Sequence, residues 1–266
     1  MHCWGIWDGM PVDLSFSVGA LYSFLLVLAR IGGALVFVPL PGVNGAPVAA
    51  RIGLAAGLTL ALAARWPVVD PAVVSPARLS AWTLSELAVG LAIGVSVAIV
   101  LEVFVLAAQI LGLQAGYAYA STIDPNTQAD SGILLVFAQL TASLLFFAAG
   151  LDREVFRLFA RSLESVPPGV YVFGPPSAGA MIRLGGCLFS VGLRIAFPVV
   201  ALLVMVDVAL ALVGRVNAQL QLLSLAFPAK MALALMVLSW GTALYPRILR
   251  EIAGQAWGAA RAVLGS

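Results

Sequence analysis

Gln109–Gly132 reads QILGLQAGYAYASTIDPNTQADSG, a weakly acidic stretch rich in Gly, Ser and Thr that interrupts two long apolar runs. Non-helical backbone at membrane depth is tolerated only where it is buried in protein or lines a watery cavity. The stretch is therefore expected to be a loop, over about 109–132, held where an aqueous passage would run. The flanking apolar helices are its scaffold.

Composition supports that setting. Of 266 residues, 62% are hydrophobic and only 10% are charged, and the mean hydropathy is +1.06. Water-soluble domains carry about 25% charged residues, so the chain reads as an all-α, polytopic membrane protein in one domain, 1–266. Divided into spans of about 20 residues, its apolar runs make about six long helices arranged in hairpins. A net charge of +2 with no clustered basic face excludes nucleic acid as a partner. Cys3 and Cys187 lack metal-ligand spacing, and the single histidine, His2, sits at the amino end, so neither a metal site nor the usual general base is expected. The opening MHCWGIWDGMPVD has no basic segment ahead of an apolar run, and so does not read as a cleavable signal. Trp4 and Trp7 suit an aromatic belt at a membrane interface.

Upstream of the loop, the run Leu14 to Leu40 holds one charge, Arg30. A cation inside a span costs about 2.5–3.5 kcal/mol unless it is paired, which makes it a functional candidate; the plainer alternative is that it snorkels to an interface. The segment Pro39 to Pro47 is dense in turn residues. A second run, Val48 to Trp66, carries Arg51 and places Gly53 and Gly57 one turn apart, the spacing that lets membrane helices approach closely. In the third run, Leu79 to Ala108, Glu86, Gly90, Gly94, Ala98 and Glu102 recur every four residues. Each step drifts by about 40°, so this small-residue groove winds round the helix and leaves its two glutamates on nearly opposite sides. The groove is expected to pack a neighbouring helix, and one glutamate to face a partner subunit or water.

Downstream, Ile133 to Leu151 is a clean span that runs into LDREVFRLFARSLESV. There Arg153, Arg157 and Arg161 share one face and Phe156, Phe159 and Leu163 another, the pattern of a basic amphipathic helix suited to a membrane interface or a partner. Ala180 to Val213 is apolar but contains Arg183, Arg194, Pro198 and Asp207, and such charges argue that it faces protein or water over much of its length. The last run, Leu225 to Tyr245, begins near Pro228 and Lys230, and the tail from Pro246 reads as another interfacial helix. Arg65, Arg78, Arg153, Arg157, Arg161, Arg247, Arg250 and Arg261 fall on one side of a six-span arrangement, against Arg51 and Arg215 on the other. The positive-inside rule then puts both termini in the cytoplasm.

The sequence lacks a phosphate-binding GxxxxGK[ST] loop, a GxSxG elbow and an HExxH pair, and Asp124 and Asp207 sit in no protease motif. No enzyme and no cofactor is expected. Two other classes remain: a secondary transporter with a midplane site in broken helices, or a subunit of a protein-conducting assembly whose charged helices face sister subunits.

Four segments then carry a resemblance: ARIGGALVFVPLPGVNGAPVAARIGLA, Glu86 with its glycine groove, QILGLQAGYAYASTIDP, and FPVVALLVMVDVALALVGRVNAQLQLL. Together they resemble the FliR family, the flagellar member of the type III export gate, over about Phe16 to Tyr245, with Gly112 to Pro125 the most specific block. The virulence-system SctT family is similar in outline. The resemblance implies an inner-membrane, multi-pass subunit of the flagellar basal body. It implies a helical gate assembly with FliP and FliQ, working with FlhA and FlhB to pass unfolded flagellar subunits, with lipid around it. By the same resemblance, Leu111 to Pro125 is a plug in which Tyr117, Tyr119 and Ile123 fill the lumen and Leu111 and Gln114 line it. Gly112 and Gly116 give that plug its backbone freedom, and Asp124 with Pro125 pins its far end. NAQLQLLSLAFPAKM is similar to the turn of FliQ, which makes about 180–245 a FliQ-like hairpin. It assigns Gln219, Gln221, Pro228 and Lys230 to the base of the gate, although Ala218 stands where many relatives have proline. Arg30, Glu86, Glu102, Arg183, Arg194 and Asp207 are expected to meet neighbouring chains or one another.

Overall fold

In the computed structural model, residues 18–38, 47–116, 132–167, 169, 171, 174–216, 222–241 and 243–264 are described. These residues are all-α, without strands. Eight α-helices follow one another: α1 Val18–Phe37, α2 Val48–Ala61, α3 Pro76–Ala115, α4 Gly132–Ala148, α5 Leu151–Ser165, α6 Pro175–Val216, α7 Leu222–Gly241 and α8 Tyr245–Leu264.

The central element is α3. Ser75 caps its start, accepting from the Arg78 amide at 3.3 Å, and Pro76 at the first helical position loses no bond it would otherwise make. Its 40 residues extend about 60 Å, twice a hydrocarbon core of about 30 Å. The helix continues past Ala108 through seven residues expected to lie outside it, Gln109 to Ala115, and stops at Gly116. There φ is +87°, and the amide donates to the carbonyls of Gly112 and Leu113, a left-handed cap that glycine adopts without strain. Leu111 explains the extension: it is buried among Leu134 of α4, Val199 and Leu203 of α6 and Leu238 of α7. Packing of that kind outweighs the loss of about 1 kcal/mol for Gly112 within a helix.

Around α3 pack α1, α4, α6 and α8. The closest approach is to α1. A Cβ on Gly90 would collide with the Arg30 carbonyl and one on Gly94 with the Ala34 carbonyl, while a Cβ on Gly33 would come within 2.7 Å of the Leu87 carbonyl. The small-residue groove is therefore an α1 seat within this chain. By contrast, Gly53 and Gly57 meet nothing within 4 Å. The face that α2 turns inward carries Ala55, beside Val27, Ile31 and Leu163, so the Gly53–Gly57 stripe seats no helix here.

The tail differs more. Its α8 is a core helix, with Leu249, Ile252, Ala253, Ala256 and Ala260 buried in the same cluster as Val97, Val100 and Phe104 of α3. Likewise α5 buries Val155, Leu158, Phe159 and Leu163 against protein, whereas Phe156 is 49% exposed rather than grouped with them. Among the described residues three helices, α1, α3 and α6, are long and apolar enough to cross a membrane, or five spans if each bent pair counts as one, beside the about six expected from the sequence. The run left out is α2, which with 14 residues covers only about 21 Å. Gly150, at φ +71°, turns the chain by 68° between α4 and α5 and so makes them one of the two bent pairs.

Candidate functional site: two polar nodes on the central helix

The first node lies near the start of α3. Arg30 projects from the middle of α1 and Glu86 from α3, and both are 0% exposed. Nε of Arg30 donates to Oε2 of Glu86 at 2.5 Å, Nη1 to the Ser162 carbonyl at 2.6 Å, and Nη2 to the Val166 carbonyl at 2.9 Å. The other carboxylate oxygen, Oε1, accepts from the amide of Gly169 at 3.3 Å. One guanidinium thus joins α1, α3 and the end of α5, where the carbonyl end of the helix dipole favours a cation and the Ser162 carbonyl shares its lone pairs between Arg30 and the Val166 amide. The strand of chain beyond α5 is held down alongside: Ser85 donates to the Tyr171 carbonyl at 2.8 Å, and Gly169, at φ +84°, lies against the Trp82 ring. Arg30 does not snorkel, and the pair is internal: neither side chain is offered to a neighbouring chain. Sequence reasoning did not place Ser162, Val166 or Gly169 in this node, because backbone donors and acceptors leave no side-chain signal.

The second node lies at the other end of α3. Nζ of Lys230, on α7, is 2.8 Å from Oδ1 and 3.0 Å from Oδ2 of Asp207 on α6, and Nε2 of Gln114 donates to the same Oδ2 at 3.2 Å. The lysine side chain is 10% exposed and the aspartate 43%. Gln114, Asp207 and Lys230, expected in three separate roles, form one cluster that fastens the last turn of α3 to the α6–α7 hairpin. Charge-assisted bonds of this kind are about twice as strong as neutral ones. Two residues before Lys230, the exposed Pro228 sits inside α7 rather than at its start, and α6 continues through Pro198.

The remaining expected residues divide by place. Glu102 is exposed, on the side of α3 away from Glu86. Arg183 and Arg194 are exposed on α6 and make no hydrogen bond or ion pair with the described residues. Arg194 lines a cavity of about 710 Å3 with Leu111, Pro198, Trp240, Glu251 and Gln255. Leu111 and Gly112 are buried helical positions, and Gly116 is the cap. Tyr117, Tyr119, Ile123, Asp124, Pro125, Gln219 and Gln221 lie outside the described residues.

Residues 21–256 match the family of bacterial export proteins, family 1. The chain belongs to that family. Among its relatives are the flagellar biosynthetic proteins FliR of three bacteria. That of Pectobacterium carotovorum is 28% identical over 220 residues, covering 82% of this chain and 81% of the relative. That of Escherichia coli K12 is 27% identical, covering 78% and 77%. That of Bacillus subtilis is 27% identical, covering 81% and 84%. The span matched to the bacterial export family contains both polar nodes and the first half of α8. An export-family membrane protein of flagellar biosynthesis therefore accounts for the apolar helices, and for polar nodes that join helices to one another.

Proposed function

We propose that this chain is a subunit of the flagellar protein export gate in the bacterial inner membrane. It forms a protein-conducting channel with FliP and FliQ, with FlhA and FlhB acting beside it, and assembles with them to pass unfolded flagellar subunits. The observation that carries the reading is the unburied apolar surface of α6 in a chain of the export family. Only 17% of that helix's most apolar window is buried, and Phe189, Leu193, Phe197, Met205 and Leu212 are exposed along it together with Arg183 and Arg194. Lipid accommodates the apolar residues of such a surface but leaves two arginines unanswered; sister helices accommodate both.

In this reading Gly116 begins the plug. The sequence beyond it, Tyr117 to Pro125, closes the channel at rest and folds aside for a substrate. Its near end is anchored by the bond from Gln114 to Asp207, which Lys230 also holds. Glu102, exposed on α3, and Gln219 and Gln221, between α6 and α7 in the sequence, contribute to subunit contacts and to the base of the gate.

Two measurements on the native membrane test this. A tagged chain extracted gently should bring FliP and FliQ with it; a monodisperse protein that binds a small solute and carries neither would favour a transporter instead. Deleting about half of residues 117–125 should raise ion leak and slow growth. Membranes that stay tight in cells that still assemble flagella would remove the plug from the proposal while leaving the assembly intact.

A further inference from the structure

Arg157, Arg161 and Arg261 line one cavity of about 580 Å3 between the outer faces of α5 and α8, beside Trp257. Its floor is apolar, made by the buried Leu158 and Leu264. Two carboxylates line the cavity as well, and both are engaged: Glu154 pairs with Arg157 at 2.5 Å, and Glu164 pairs with Arg65. Arg161 makes no side-chain hydrogen bond with the described residues. Arg261 gives only its Nε, to the Trp257 carbonyl at 3.3 Å. Arg161 and Arg261 therefore share a cavity in which both acids are already paired with other arginines.

The usual explanation of basic amphipathic helices, an apolar face sunk into lipid, does not apply, because both helices already bury that face in protein. What they turn outward is charged, with arginines and acids together. The groove follows the 68° turn at Gly150, where the apolar helix α4 ends. Taken as the end of a crossing made by α4 alone, the break lies at the level of lipid headgroups, where tryptophan is enriched. Basic pockets between helices at that level suit anionic headgroups. We propose that the groove between α5 and α8 is a binding site for the phosphate of an anionic phospholipid, held between Arg161 and Arg261.

The test uses the full chain in its native complex, extracted in detergent and titrated with phosphatidylglycerol, phosphatidylcholine or inorganic phosphate under native mass spectrometry. Phosphatidylglycerol is expected to stay bound under conditions that strip phosphatidylcholine. Arg161→Gln with Arg261→Gln should weaken its retention by about fivefold per arginine, and the lysine pair Arg161→Lys with Arg261→Lys should keep most of it. Equal retention of the two lipids overturns the proposal, and that comparison needs no variant to fold. Inorganic phosphate bound as well as the lipid would mean an adventitious ion only. Unchanged lipid retention with loss of a co-purifying subunit in the glutamine pair would mean a protein interface, and would likewise end it.

Discussion

Arg30 has no exposed surface and sits at the centre of an apolar helix, so its whole charge is answered inside the chain. Removing one member of such a pair is costly because the other is left buried and uncompensated, by about 3–5 kcal/mol. Glu86→Leu and Arg30→Met are each expected to lower thermal stability and yield of the full chain on that scale. The double replacement should recover part of the loss, since apolar residues of similar volume often substitute for a buried pair. Recovery is only partial because the Val166 carbonyl, which accepts from Arg30, loses that partner, while the Ser162 carbonyl keeps only its bond from the Val166 amide. A double variant as unstable as the sum of the singles would mean that the two residues act independently. The Asp207–Lys230 contact is half open to its surroundings through the aspartate, so its loss should cost less. The exchange Asp207→Lys with Lys230→Asp should restore more flagellar assembly than either single change; if all three are equally impaired, the residues serve other partners.

At the scale of the element, α3 owes its position to where its glycines lie. Gly90 and Gly94 abut the backbone of α1, so Gly90→Val or Gly94→Val must push two helices apart, at about 1–3 kcal/mol or more. Gly53 and Gly57 on α2 have open space, and Gly53→Ala should be neutral or stabilise α2 by about 1 kcal/mol in the isolated chain. Measured side by side by thermal unfolding, a tolerated Gly94→Val would refute the close α1–α3 approach. If Gly53→Ala left the isolated chain intact but reduced assembly yield, α2 would be identified as a seat for another subunit. The glycine spacing in α2 and α3 looks alike on paper; the difference lies in which helix faces the neighbouring backbone.

For the whole molecule, the cationic groups Arg65, Arg157, Arg161 and Arg261 gather at one end, linked by the Arg65–Glu164 contact and the α5–α8 groove. By the positive-inside rule that end is expected to face the cytoplasm. A cysteine introduced for the exposed Ser165, in a chain with Cys3 and Cys187 replaced, should be labelled by a membrane-impermeant reagent only from the cytoplasmic side. Labelling from the opposite side would invert the arrangement. The assembled complex should also hide the α6 face: cysteines at Phe197 and Met205, both exposed in the isolated chain, should be protected from an apolar reagent when partners are present.

Much of this was legible residue by residue. Hydropathy alone dictates helices that live in a membrane, because a chain so poor in charge has no surface with which to face water. The four-residue spacing of Gly90 and Gly94 makes a close helix contact possible, and opposite exposure of Glu86 and Glu102 follows from helical geometry. Tertiary structure decided the rest. Periodicity identifies an apolar face but not what covers it, so only packing could show that α5 and α8 bury theirs in protein rather than lipid. Helix ends are set by neighbours as much as by composition, so α3 runs on to Gly116 because Leu111 finds a core to enter. The partners of a buried charge are far apart along the chain and partly backbone. Arg30 meets Glu86 and the carbonyls of Ser162 and Val166 only because three helices converge on it.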